Sequence, residues 1–342
     1  MASLPIPWEY HSASNNTAKP IRYDTAPFYH VYYPYLRDPP FKRVLITGVS
    51  GFVGSNIVEY SKEMGVETFG IARKEPSNKV PRPDHMIYLD LTSPTAKDTL
   101  IDIITKNSID LIFHLAATSI VKLGVENPYG TAINNYLSAL NVIHAAYVTN
   151  TRLVILGTDK EYGEGLNRDE NSPINIRGGV YGVSKLSASL MALAYRDQFK
   201  TPITVARSVN IYGPWDYDKT RIIPKAIYNF MNGKPMEVYT PVGRRMYIYV
   251  SDLVMALFTI ASHPEFDVVN ICSNDFLDSM TVVKTIAKYF SKAEIKEIPS
   301  PYPEIHEQSM SCERLKSMGW RQEISFEIGI PMTVEWASNY LR

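Results

Sequence analysis

Residues 157–163 read GTDKEYG and follow the apolar run 152–156, so a hydroxyl, a carboxylate and an ammonium stand side by side at the end of a strand. Thr158, Asp159 and Lys160 can form a polar turn that closes the strand, or a set that moves protons. Downstream, Tyr181 and Lys185 in YGVSK are four residues apart in a segment that continues as LSASLMALAYRDQF. Positions i and i+4 of a helix share a face, which brings the ammonium to the phenol. A neighbouring cation favours phenolate, so the expectation is a Tyr181 pKa lowered toward a working range, with Lys185 also able to hold a ribose hydroxyl.

Such groups need a partner that accepts electrons, and the stretch TGVSGFVG offers a place for one. Gly48, Gly51 and Gly54, with Ser50, Phe52 and Val53 between and beside them, lie between a first strand and a helix. A glycine turn there lets backbone amides approach a pyrophosphate at the positive end of the helix dipole. After the second strand stand Arg73 and Lys74, where enzymes that bind NAD usually place a carboxylate. Two cations suit a 2′-phosphate, which favours NADP, with NAD as the alternative. Asp90 and Leu91 in YLDLTS border the adenine in this reading; a helix N-cap is the competing role for Asp90, and Thr92 or Ser93 can fill it as well.

The elements that must position these groups are legible from Lys42 onward. RVLITG, ETFGIAR, IDLIFHLAA and RLVILGT are short apolar runs, and NIVEYSKEM and SALNVIHAAYV between them are amphipathic. That alternation predicts a Rossmann-type doubly wound parallel sheet, whose strands are apolar throughout because helices cover both faces. After TPITVARSVNIYG the alternation loosens and prolines appear at 214, 224, 235 and 241. We therefore divide the chain into a dinucleotide-binding domain over 42–211, a returning segment near 243–272, and a smaller mixed α/β substrate lobe over 212–342. Residues 1–41, rich in proline and tyrosine, read as an extension laid over a domain or a neighbouring subunit, or as a partly disordered leader.

Composition narrows the partners. Among 342 residues, 45% are hydrophobic, and 35 basic side chains balance 35 acidic ones, so neither nucleic acid nor an anionic membrane is indicated. The two cysteines, Cys272 and Cys312, lie outside metal-like or CxxC spacing and point to a reducing compartment. The first residues lack the basic and apolar regions of a signal peptide, and a cytoplasmic location is the expectation.

Taken in order, TGVSGFVG, HLAA, Asn135 with Asn141 in NYLSALN, the Thr158 strand end, YGVSK and RSVNIYGP resemble the extended short-chain dehydrogenase/reductase family acting on nucleotide sugars. GRRMYIYVSDLVMAL and CERLKSMGWRQEISFEIGIPMTVEW resemble its later signatures, so the resemblance runs from residue 42 to 342. It implies that Tyr181 is the acid or base for a sugar 4-hydroxyl, that Lys185 supports it, and that Thr158 hydrogen-bonds the same oxygen. Leu115, Ala116 and Ala117 would border the cofactor, with His114 a packed histidine beside it. Asn135 would order the nearby helix or a water. Arg245 and Arg221 would meet the nucleotide diphosphate, where a guanidinium can engage phosphate oxygens bidentately. Thr118 and Asn210 would complete the substrate contacts, and a homodimer through the helices after Asn135 and Tyr181 is the expected assembly.

Within that family, an Asp-Glu or Asp-Lys pair after the Ser/Thr marks the sugar-nucleotide 4,6-dehydratases, and this chain has Asp159-Lys160. Oxidation at C4 acidifies the C5 proton, and loss of the C6 hydroxyl then needs an acid, assigned to Asp159, and a group at C5, assigned to Lys160 or less favourably Glu161. The Asp-Lys pair and WDYDKTRIIP are similar to CDP-glucose 4,6-dehydratases, whereas Arg73 is closer to the GDP-mannose dehydratase pattern. A 4-epimerase or 4-ketoreductase on the same Thr-Tyr-Lys set is the alternative, and a dinucleotide-binding protein without catalysis is a further one.

Overall fold

A computed structural model describes residues 39–76, 80–119, 121–174, 179–239, 243–299 and 306–341. The extension expected at the N-terminus lies, through residue 38, outside the described residues. The first half runs β1 (Arg43–Thr47), α1 (Phe52–Glu63), β2 (Glu67–Ala72), β3 (His85–Tyr88), α2 (Ala96–Lys106), β4 (Leu111–His114), α3 (Val121–Glu126), α4 (Pro128–Thr149) and β5 (Arg152–Thr158). Then come β6 (Gly165–Arg168), α5 (Gly179–Phe199), β7 (Ile203–Ser208), β8 (Asn210–Tyr212), α6 (Ile222–Met231), β9 (Met236–Tyr239), β10 (Arg244–Tyr249), α7 (Val250–Ala261) and β11 (Val268–Ile271). The chain closes with β12 (Phe276–Asp278), α8 (Ser279–Ala287), β13 (Ile295–Ile298), β14 (Glu307–Met310), α9 (Glu313–Ser317) and α10 (Phe326–Tyr340).

Seven strands form one sheet in the order β11-β7-β5-β4-β1-β2-β3, each pair parallel. The alternation of β1 shows how it is covered. Val44 and Ile46 face the layer that holds Ile57 of α1 and Leu253 of α7, while Leu45 faces Leu100 of α2, Ile143 of α4 and Ala188 of α5. Both faces are thus buried, and β4 and β7 are buried at every position. This is the doubly wound Rossmann-type architecture that the sequence pattern predicts.

Parallel pairing also lines up the strand ends. Thr47 is the register partner of His114, and Thr158 that of Ser208, so polar residues that end four strands share one edge of the sheet. Ligands of open α/β sheets bind at that carboxyl edge. Above it lies a smaller lobe with sheet order β12-β10-β14-β6, with β8 paired to β10, and a separate β13-β9 pair. Ile227 of α6, Val283 of α8 and Trp336 of α10 belong to its own core. Between lobe elements, α7 and β11 return to the large sheet, where β11 is the edge strand beside β7.

One expectation is corrected. Cys272 and Cys312 are joined in a disulfide across 40 residues, so they are not the isolated thiols from which a reducing compartment was inferred. Spacing along the chain did not reveal that α9, which Cys312 caps, packs beside β11, after which Cys272 follows. Among the described residues no helix is long and apolar enough to cross a membrane.

Candidate active site

The glycine turn is shaped by close approach. Gly48 has φ +69°, and a Cβ on it would lie 2.9 Å from the backbone of Ala116, so the turns after β1 and β4 touch where only glycine fits. A Cβ on Gly54 would fall 2.5 Å from the carbonyl oxygen of Gly48, which lets α1 start directly on the turn. Gly51 is the N-cap of α1 and supplies no side-chain cap, leaving the first amides of the helix for a ligand. A cavity of about 730 Å³ opens there, large enough for a dinucleotide's reactive end and a sugar. Gly48, Ser50, Gly51, Phe52, Val53, Gly54, Arg73, Asp90, Leu91, Leu115, Ala116 and Ala117 all line it. These residues fit a dinucleotide: the cradle is one a side chain would fill, and among the described residues no N-cap side chain takes the first helix amides.

Asp90 lines the cavity and closes a local turn, and it does not cap a helix. Its Oδ1 accepts from the amide of Thr92 at 2.9 Å and from the Thr92 hydroxyl at 2.8 Å, closing a local turn. Those bonds, with Arg73 as a weaker contributor, hold its carboxyl below the usual range. The N-cap of α2 is Thr95, not Asp90, Thr92 or Ser93.

His114 is neutral and packed. The Thr47 hydroxyl accepts from the amides of Leu115 at 3.1 Å and Ala116 at 3.2 Å, so its single hydrogen goes to His114 Nδ1 at 2.9 Å. That fixes the Nε2–H tautomer. Burial and then the charge of Lys185 push the imidazole down to about 3.

The GTDKEYG segment divides into two faces. Asp159–Glu161 form one 3-10 turn capped by Thr158, whose amide donates to Glu161 Oε1 at 3.1 Å while its Oγ1 accepts from the amide of Lys160 at 3.3 Å. Thr158, Asp159 and Lys160 line the cavity. Glu161 turns the other way: it is wholly buried, accepts from Arg207 Nε at 2.8 Å and from Ser189 at 3.1 Å, and does not line the cavity. Its standing as a substitute at C5 is thereby corrected, because a carboxylate tied into that pair cannot reach a sugar. Asp159 is 1% exposed; Thr158 Oγ1 donates to its Oδ1 at 3.1 Å and Lys160 Nζ at 2.8 Å, whereas Oδ2 has no partner among the described residues. A buried carboxylate oxygen without a donor, on the wall of a cavity, is a place made for a ligand hydroxyl.

Tyr181 and Lys185, both on α5, also line this cavity, but not in the expected charge state. Burial and the negative charge of Asp159 push the Tyr181 phenol up to about 12, while Arg221 and a hydrogen bond with Thr158 pull the other way. Lys185 does not supply the anticipated lowering. Its Nζ donates to the carbonyl of Leu156 at 2.6 Å, and burial holds it down to about 8. An oxidised nicotinamide, itself cationic, would add the missing positive charge when bound.

On the substrate side, Arg245, Arg221 and Asn210 line the cavity. Arg221, the N-cap of α6, spans the two lobes, pairing with Asp216 and Asp218 at 3.4 Å each and donating to the Ser119 hydroxyl at 3.0 Å. Asn210 spends one amide hydrogen on the carbonyl of Met246 at 3.1 Å. Thr118 lies outside the cavity wall: its amide and carbonyl are held by Asn135 at 2.6 and 3.2 Å, and its hydroxyl accepts from Asn134 at 3.1 Å. Asn135 also donates to Ser184 of α5 at 2.9 Å, so it ties the turn after β4 to the helix that carries Tyr181.

Three contributors went unread in the sequence. Asp216 is a buried cavity carboxylate pushed up to about 6 by burial against the pull of Arg221. Its signal was the Asp-x-Asp-x-x-Arg spacing within WDYDKTRIIP. Tyr247 places a second buried phenol on the cavity wall, pushed up to about 12 by burial. Gln308 donates to the carbonyls of Asp159 at 2.8 Å and Gly163 at 3.0 Å, fastening the 3-10 turn to β14; nothing local announces a contact 149 residues away.

The sequence profile of the NAD dependent epimerase/dehydratase family matches residues 44–272. A dTDP-D-glucose 4,6-dehydratase of Mus musculus is 26% identical over 320 residues, covering 86% of this chain and 88% of the relative. Two solved structures share the fold. The dTDP-glucose 4,6-dehydratase of Bacillus anthracis in complex with NAD has a TM-score of 0.76 at 22% identity, over 87% of this chain and 97% of the other. The UDP-glucose 4-epimerase of Thermotoga maritima with UDP-glucose has a TM-score of 0.78 at 21% identity, over 87% and 99%. Glycine cradle, strand-end hydroxyl, and tyrosine-lysine helix converge on one cavity, and with a matching profile over two thirds of its length the chain belongs to the NAD dependent epimerase/dehydratase family.

Proposed function

We propose that the chain is a nucleotide-sugar 4,6-dehydratase, converting a nucleoside-diphosphate hexose to its 4-keto-6-deoxy form. The observation that carries the reading is Oδ2 of Asp159, which has no partner among the described residues and is buried in the cavity that Tyr181 also lines. An epimerase or ketoreductase needs the hydroxyl and phenol but no acid at that point; elimination of a 6-hydroxyl does. The dinucleotide would take a hydride from C4 and return it to C6, leaving no net oxidation. Tyr181 accepts the proton of the 4-hydroxyl and Thr158 holds that oxygen. Asp159 protonates the departing 6-hydroxyl, and Lys160 assists at C5, where an ammonium steadies enolate charge. Arg245 and Arg221 take the diphosphate.

Arg73 on the cavity wall supports NADP as the preferred dinucleotide. A homodimer through α4 and α5 is supported by an apolar exterior on those helices, where Ile133 is 41%, Val183 40% and Leu190 49% exposed.

The test is a panel of dTDP-, UDP-, CDP- and GDP-hexoses incubated with the dinucleotide in deuterium oxide and followed by NMR. The expected product carries a 4-ketone, a 6-methyl group and deuterium at C5. Inversion at C4 with the 6-hydroxyl retained would establish the epimerase reading suggested by the fold neighbour of that name.

A further inference from the structure

We propose that Gln308 is a positioning residue for the elimination step: from β14 it fastens the turn that carries Asp159 and Lys160, and so fixes the acid relative to Arg245 on the neighbouring strand. The inference rests on the dehydratase reading and deepens it by assigning a group that acts on elimination without touching the substrate.

The need for a fastening comes from the turn itself. Asp159–Glu161 is a single 3-10 turn, a form whose hydrogen-bond geometry is poorer than that of an α-helix. Within it the carbonyl of Asp159 accepts from the amide of Tyr162 at 3.0 Å, and that of Lys160 from the amide of Gly163 at 3.2 Å. Gly163 has φ +70°, so the turn ends on a residue that lets the backbone swivel. Gln308 closes both ends. Its Nε2 donates to the carbonyl of Asp159 at 2.8 Å and to that of Gly163 at 3.0 Å, spanning the turn with one amide group. Both acceptors are carbonyls, so the side chain must present its nitrogen, and its Oε1 is left buried with no partner among the described residues. Gln308 is 1% exposed and does not line the cavity. It acts through the turn.

The same strand reaches the other end of the site. Gln308 is the register partner of Arg245 on β10, and the carbonyl of His306, two residues before it, accepts from Arg245 Nη1 at 3.2 Å. A nucleotide sugar holds its diphosphate and its C6 at a separation set by its own bonds. The groups assigned to those two ends belong to different parts of the chain: Arg245 to the smaller lobe, Asp159 to the end of β5 in the large sheet. A strand bonded to both keeps their spacing matched to the substrate. Such matching matters, because catalytic groups work when held to within about 0.5 Å and a misplacement of about 1 Å can cost about 100-fold. Oxidation at C4 depends on other supports. Thr158 is fixed in the β5–β7 ladder opposite Ser208, and Tyr181 is carried by α5.

The test is a single turnover of whichever dTDP-, UDP-, CDP- or GDP-hexose the wild type oxidises, with reduced nicotinamide read by absorbance and the 4-keto-6-deoxy product by NMR. Gln308→Met fills the space but brings no donor. Per folded molecule, its C4 oxidation and its KM should stay within about 3-fold of the wild type, while elimination should slow at least about 10-fold. A 4-keto-hexose and reduced dinucleotide should then accumulate. Gln308→Asn keeps the amide but withdraws it by one methylene, and the ratio of elimination to oxidation should fall in the same direction by a smaller factor. This variant decides where Gln308→Met does not fold. Oxidation and elimination slowed by one common factor, or a wild-type ratio in the deciding variant, would make Gln308 a structural residue only and overturn the positioning role alone. Wild-type oxidation without any 4-keto-6-deoxy product would overturn the dehydratase reading and this inference with it.

Discussion

Nζ of Lys160 lies 2.8 Å from Oδ1 of Asp159, and with side chains 19% and 2% exposed these neighbours form an ion pair closed into the cavity wall. Removing one member leaves the other charged and poorly solvated. Lys160→Met should therefore cost about 1–3 kcal/mol of stability, seen as a lower thermal midpoint. It should also slow elimination by at least about 10-fold, since the charge opposite C5 is gone. Asp159→Asn keeps the shape but cannot give a proton. Reduced dinucleotide should accumulate with a 4-keto-hexose, and dehydration at the wild-type rate in this variant would refute the acid assignment.

Glu161 offers the contrast. Its Oε2 pairs with Arg207 at 2.8 Å, and Arg207 Nη1 in turn donates to the Tyr162 hydroxyl at 2.8 Å, all out of solvent. Glu161→Gln should destabilise the fold by about 3–5 kcal/mol by stranding a buried guanidinium. Molecules that remain folded should retain the ratio of elimination to C4 oxidation. Selective loss of elimination, measured on the folded fraction, would return Glu161 to the chemistry.

The difference between these adjacent residues marks where the sequence stopped being legible. Period and strand length located β1, β2, β4, β5 and β7, because an apolar run buried on both faces is a local signal. The glycine turn and the Tyr181–Lys185 pair were legible for the same reason: each is a spacing within one element. The direction of Glu161 was not, because a 3-10 turn rotates three consecutive side chains onto different faces and only Arg207, on another strand, decides which is buried. Gln308, Ser119 and the Cys272–Cys312 bond are likewise contacts between distant segments. The charge state of Tyr181 required knowing that Lys185 points at Leu156 instead.

Arg73 is exposed on the cavity wall beside Asp90, whose carboxyl it helps to hold in the charged form. A guanidinium there can engage a 2′-phosphate bidentately but gains little from a plain ribose. Arg73→Ala should weaken NADP about 10-fold, or about 1.4 kcal/mol, while leaving NAD nearly unchanged. Calorimetric titration of each dinucleotide into the wild type and the variant checks this. Equal affinities for NADP in the two proteins would remove Arg73 from cofactor selection.

His114 and Asp216 make opposite demands as pH falls. The His114 imidazole has its pKa brought down from 6.5 to about 3, by burial and then by Lys185, so its contribution to stability is present above about 6.5 and is lost toward 3. Asp216 is raised from 3.8 to about 6, by burial against Arg221, so its contribution is present below 3.8 and is lost as pH rises through 6. Between about pH 4 and 6 the two slopes oppose each other. Asp216→Asn removes the term that grows on acidification, and the variant should lose stability more steeply than the wild type as pH drops below about 6. His114→Gln removes the other term, and its acid limb should be shallower. Thermal midpoints measured across this range, as differences from the wild type, isolate each group from the carboxylates both proteins share. A difference for Asp216→Asn that stays constant between about pH 4 and 6 would mean that the carboxyl titrates as an ordinary surface acid, and that its pairing with Arg221 outweighs its burial.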